Sequence, residues 1–186
     1  MRRTHKAILI ASAILVPVAA QAGWQDEATS YDQSRLARLD EARSQAMAEA
    51  GGAGRDVLNA PAGGSSLTGS WRCRTIKLGG MTSSKTYSWF HCSITDEGGV
   101  LHFEKISGTQ RMAGTLYPDG NSYVYLGASW VKGEHPHRYS GNGASVGAQA
   151  TPDDQIGRMS ATANGARLEM PYPVQESTMD VVELRR

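Results

Sequence analysis

The chain has 186 residues, a formal charge of +1, 40% hydrophobic residues and 20% charged residues. That is the length of one domain, with a composition that excludes a disordered or collagen-like chain. The near-zero charge gives no electrostatic basis for a nucleic-acid partner.

Residues 1–22 read as a secretory signal. Arg2, Arg3 and Lys6 make a basic start, Ala7 to Ala20 is an uncharged and mostly apolar run, and Ala20-Gln21-Ala22 is a small-x-small cleavage site. The run is shorter than the roughly 20 residues of a spanning helix. The mature chain is expected to start at Gly23, with its formal charge falling from +1 to −2 as three cations leave. A periplasmic or secreted location follows. Cys73 and Cys92, the two cysteines, then meet oxidising conditions and are expected to form a disulfide. On the chain-entropy model, closing a loop of this size stabilises the fold by roughly 3 kcal/mol.

Residues 23–50 form an N-terminal arm with a helix predicted over 31–50. Ser30 and Gln33 supply a capping box and Gly51-Gly52 a stop. Leu36, Leu39, Met47 and Ala50 make a narrow apolar stripe, which predicts a helix lying on the surface of the main domain. Arg35, Arg38, Asp40, Glu41 and Arg43 are expected in solvent. Trp24 is placed to anchor the arm. Residues 51–66 lack periodicity and read as a flexible linker.

Residues 67–186 form the main domain. Runs rich in Tyr, Trp, Val, Ile and Thr predict strands at about 69–78, 85–94, 100–107, 109–117, 122–131, 155–163, 166–171 and 178–184. Turns are expected at Gly79-Gly80, Asp96 to Gly99, Pro118 to Asn121, and Asn164-Gly165. A long polar loop spans 132–154. Short strands joined mostly by hairpins predict a mostly-β, eight-stranded antiparallel up-and-down barrel, with a sandwich as the alternative. Trp71, Cys73 and Thr75 share one face, as do Phe90, Cys92 and Ile94, so the disulfide staples the first two strands.

Gly69-Ser70-Trp71 resembles the G-x-W opening of lipocalins and related calycin barrels. That resemblance implies a Trp closing one barrel end under a late-strand arginine, for which Arg167, Arg185 and Arg186 are candidates. Secreted bacterial metalloprotease inhibitors are similar in having an eight-stranded barrel with an early disulfide. Trp71 to Gly80, Tyr87 to Cys92, Gly108 to Arg111 and Glu176 to Leu184 resemble the secreted bacterial family of domain of unknown function 4893, across the whole mature chain. This resemblance implies an exported domain, no established activity and no catalytic residues to carry over.

Gly143-Ala144-Ser145-Val146-Gly147 fits G-x-S-x-G but lacks the strand and helix that a nucleophile elbow needs, so it reads as loop. His135 and His137 read as exposed loop histidines rather than zinc ligands, with His91, His102 and Glu134 the further donors considered. Asp153, Asp154 and Glu134 lack calcium-loop spacing. Glu169, Glu176, Asp180 and Glu183 are expected on the wet face of late strands. No metal, cofactor or catalytic set is expected.

Aromatic residues either fill the barrel or line a pocket within it. The candidate ligand-binding residues are Trp71, Trp89, Phe103, Arg111 and Tyr125, although a solvated position is expected for Arg111. These readings favour an exported, non-enzymatic binding protein whose barrel takes a small, largely apolar ligand. The alternative is a protein-binding module, such as an inhibitor of a secreted or cell-envelope hydrolase.

Overall fold

The computed structural model describes residues 23–64, 66–141 and 151–186. The expected signal segment and the 143–147 motif lie outside them. The strands are β1 (Gly69–Leu78), β2 (Ser84–Thr86), β3 (Phe90–Glu97), β4 (Val100–Lys105), β5 (Gln110–Asp119), β6 (Ser122–Val131), β7 (Asp154–Thr162), β8 (Gly165–Pro171) and β9 (Met179–Arg185). They run antiparallel in the order β2-β1-β3-β4-β5-β6-β7-β8-β9, and β1 also pairs with β9. Excluding the short β2, this is a closed eight-stranded up-and-down barrel, not a sandwich. Closure leaves the barrel wall without a free edge.

The second predicted strand is split. Ile76 pairs with Thr86, whereas Cys73 pairs with Phe90, so β2 and β3 together spend one residue more than β1 over this stretch. Tyr87 to Trp89 is therefore a bulge in a single return strand. The last two-residue turn also lies one position earlier than expected. Thr162 pairs with Gly165, which makes Ala163-Asn164 the loop and Gly165 the first residue of β8.

Alternation sends one side-chain set inward. Trp71, Cys73, Ile94, Phe103, Leu168 and Val182 belong to one buried cluster in the barrel interior. The Cys73–Cys92 disulfide forms there, joining β1 to β3.

Parts of the outer face are buried too. The arm contains α1 (Trp24–Glu27), α2 (Ser30–Ala37) and α3 (Leu39–Glu49). The predicted single helix breaks at Arg38, whose N–H turns back to the carbonyls of Arg35 and Leu36. The cap is Thr29, not Ser30: its hydroxyl accepts from the Asp32 N–H at 3.2 Å. The break lets two helices cover two patches. Ala28 and Leu36 pack on Val124, Leu126 and Ile156, while Ala42 and Ala46 pack on Ile76, Leu78, Met179 and Val181. Within the segment read as a linker, α4 (Arg55–Leu58) adds buried Val57 and Leu58 to the second patch. Each such fully buried aliphatic side chain contributes about 1.5–3 kcal/mol. No described helix is long and apolar enough to cross a membrane.

Candidate functional site

The two barrel ends differ. At one end Trp71 packs inside, its indole N–H donating to the Leu67 carbonyl at 2.8 Å. Arg186 lies over its ring at 4.4 Å, so of the three candidate arginines this is the one that stacks. In the middle, Phe103 and Tyr125 meet edge to face at 5.9 Å. A Cβ at Gly114 or Gly127 would overlap the Tyr125 ring or hydroxyl, so the bare backbone at these two positions is what admits this residue. These side chains fill the barrel's middle.

The other end is an open mouth. A cavity of about 320 Å³ lies among the end of β1, the start of β5, the end of β6, the start of β7 and the β8–β9 loop. Met112 and Met170 supply apolar surface within it, and Val131 and Val174 stand at its rim. Its ionisable groups are Arg35, Lys77, Lys105, Arg111, Glu134 and His137, together with Asp153, Asp154 and Asp180.

Most of these groups have a polar partner. Lys77 Nζ lies 2.6 Å from Glu176 and 3.8 Å from Asp180. Burial pulls the Lys77 pKa down, but Asp180 and Glu176 outweigh it and leave it raised. Burial likewise raises Asp180, against the pull of Lys77. His137 Nδ1 is 3.0 Å from Asp153. Arg35 forks onto Asp32 and reaches the carbonyls of Tyr172 and Asp154. Tyr139 donates to the other Asp32 oxygen at 2.6 Å, and Asp154 accepts from Ser140 and Thr151. This buried lattice joins α2, the 139–140 segment and the mouth.

Lys105 differs. It is 5% exposed and its ammonium donates to the carbonyls of Ser107 and Gln110. Phe90 lies 4.3 Å away on its other side. Among the described residues neither Lys105 nor Arg111 has a carboxylate within ion-pair distance. Burial, and then the adjacent Arg111, push the Lys105 pKa down to about 8. The β4–β5 turn that holds this ammonium contains Gly108, at φ 89°, where a Cβ would strike Phe90 and crowd Lys105.

A family model described as "Domain of unknown function (DUF4893)" matches residues 24–184. The chain belongs to this family. No curated protein and no solved structure matches it. The DUF4893 match spans arm and barrel alike, in keeping with the helices' contribution to the packed outer face.

The structure of this DUF4893 domain distributes the predicted ligand residues. Trp71, Phe103 and Tyr125 lie inside, in one packed cluster. Arg111 is half-buried at the mouth. Trp89 sits apart on the bulge outside the barrel, with the guanidiniums of Arg72, Arg74 and Arg185 at 5.3, 4.7 and 5.6 Å from its ring. His135 is exposed, and no group of three or more His, Cys, Asp or Glu among the described residues is arranged to hold a metal.

Several expected surface charges are instead buried. Arg35 is 4% exposed, Glu169 3%, Asp180 7% and Glu183 5%. The arm explains the first two: α2 carries Arg35 inward, and Arg43 on α3 lies 3.8 Å from Glu169, which Arg167 also engages at 2.9 Å. Glu183 is held by Arg74 at 2.7 Å and Arg185 at 2.6 Å, and Asp180 points into the barrel beside Lys77. Only Glu176 of the four late acids is exposed. Lys105 was passed over in sequence, yet it shares the inward parity of Leu101 and Phe103, which is the signal that locates it.

Proposed function

We propose that this DUF4893 domain is an exported, non-enzymatic binding protein that takes a small, largely apolar ligand in the barrel mouth. The observation that carries this reading is the open cavity of about 320 Å³, backed by Met112 and Met170. Its volume lies at the small end of the range for ligand sites. The aromatic interior beneath supports the reading as a rigid base, since it fixes the cavity's depth. Export is supported by the basic and apolar 1–22 segment and by the Cys73–Cys92 disulfide.

Native mass spectrometry on protein purified without denaturation from its own cells tests this. The expected result is a small co-purifying mass that is lost on unfolding and also lost when Met170→Trp fills the cavity. A bare protein mass, together with no thermal shift on adding a small apolar ligand such as octan-1-ol, removes the reading.

A second reading, a protein-binding module such as an inhibitor of an envelope hydrolase, draws on Ile106, Val131 and Val174. These apolar residues are 45%, 46% and 42% exposed. A stoichiometric envelope partner that is lost with Val131→Asp favours it; recovery of no such partner counts against it.

A further inference from the structure

The cavity's charge pairing leaves one gap. Lys77 answers to Glu176 and Asp180, His137 to Asp153, and Arg35 to Asp32. Asp154 is occupied by Ser140 and Thr151. Glu134 accepts the Val131 N–H at 2.8 Å and makes no ion pair with a described residue. Lys105 and Arg111 remain, two cations that line the same cavity, neither with a carboxylate of a described residue within ion-pair distance. An ammonium has three donors, and two of those on Lys105 are spent on carbonyls. A buried charge kept without a counter-ion is costly, and a bound anion offsets that cost.

Deeper in the barrel, further polar capacity is unspent. Among the described residues, the Tyr125 hydroxyl and Gln155 Oε1 are buried without hydrogen-bond partners. The hydroxyl reaches Gly127, whose register partner is Gln155, one inward position below Ser129 of the mouth.

We propose that the mouth is a site for a small organic carboxylate, its anionic head between Lys105 and Arg111 and its apolar tail against Met112, Met170 and the rim valines. This assignment rests on the mouth being a small-ligand site, and adds the ligand's charge and orientation. One negative charge suits the pair. A dianion such as phosphate would meet Glu134 and Asp180 on the same walls. At about 30 Å³ per non-hydrogen atom, the cavity holds a ligand of about ten such atoms, the size of octanoate.

The experiment is calorimetric titration of the purified protein with octanoate and with its neutral isostere octanamide. Wild type, Lys105→Met and Arg111→Met are compared. Octanoate is expected to bind wild type at least about tenfold more tightly than octanamide, the worth of one charge-assisted hydrogen bond. Either substitution is expected to abolish that preference, bringing octanoate binding down to that of octanamide. Arg111, half-buried at the rim, keeps the test intact if Lys105→Met fails to fold. Equal binding of the two probes to wild type overturns the carboxylate assignment but leaves the small-ligand reading standing. Binding of neither overturns both. A preference for octanoate that survives both substitutions puts the anion elsewhere and also overturns the assignment.

Discussion

Arg186 stacks 4.4 Å over the ring of Trp71 while donating to the carbonyls of Ser66 and Thr68 at 3.0 and 3.1 Å. It thereby ties the end of β9 to the approach to β1, where the barrel closes. Trp71→Ala is expected to cost about 3–5 kcal/mol, because it empties a buried site. Arg186→Ala is expected to cost about 0.5–1 kcal/mol, since the arginine itself is exposed. Urea unfolding followed by tryptophan fluorescence measures both, and equal losses would show that the stack, not burial, dominates.

Cys73 and Cys92 are 19 residues apart and join β1 to β3. Replacing both with serine is expected to lower stability by about 3 kcal/mol on the chain-entropy model. Denaturant midpoints with and without reductant give the comparison, and reduced wild type should fall to the level of the double variant.

Tyr125 is wholly buried, and burial raises its hydroxyl pKa well above the ordinary value. Its hydroxyl has no hydrogen-bond partner among the described residues. Tyr125→Phe is therefore expected to be neutral or to stabilise by about 1 kcal/mol, since it removes an unsatisfied polar group while keeping the ring. A loss above about 1 kcal/mol in the urea midpoint would mean the hydroxyl is satisfied by an ordered water.

Asp32 and Arg35 are 0% and 4% exposed. Asp32→Ala strands a buried guanidinium and is expected to cost about 3–5 kcal/mol. The pair Asp32→Ala with Arg35→Met is expected to recover part of that loss, because the unpaired charge goes as well. A double-mutant cycle on thermal or urea unfolding reads the coupling, and additive losses would count against an ion-pair role.

Lys105 sets an alkaline dependence. Its folded pKa is about 8, against an ordinary unfolded value near 10.4. Below pH 8 both states hold the proton and the cost of burying the charge is fully present. Between about 8 and 10.4 the folded state binds fewer protons than the unfolded one, so this residue's contribution to stability rises with pH. The stability of Lys105→Met relative to wild type should therefore decline as pH rises through this window. Urea titrations at pH 7, 8.5 and 9.5 check it, and a difference that stays flat with pH would remove the perturbed lysine.

Strand parity and turn chemistry carried most of the barrel. β1 and β6 fall on their predicted ranges, and Gly120-Asn121 turns where Pro118-Asp119-Gly120-Asn121 points to a hairpin. The misses have physical causes. The Tyr87–Trp89 bulge follows from pairing β1 with two registers, which no single run reveals. The arm's kink at Arg38 carries no glycine or proline, so local signals run through it. The runs 124–128 and 179–184 are buried on both faces, because the arm covers the outside of the barrel there.

By itself the sequence determined the barrel, because inward and outward side chains alternate with period two and hairpin turns have local chemistry. It also determined the cysteine pairing, since two cysteines allow only one bridge within the chain. Tertiary structure alone decided which aromatics fill and which charges face inward. That outcome depends on the other strands: whether Tyr125 has two glycines to lie against, and whether Glu169 has an arginine from a distant helix above it. It also decided where the mouth lies, because Lys105 and Arg111 sit on either side of a turn while the walls that make their surroundings a cavity come from β1, β6, β7 and the β8–β9 loop.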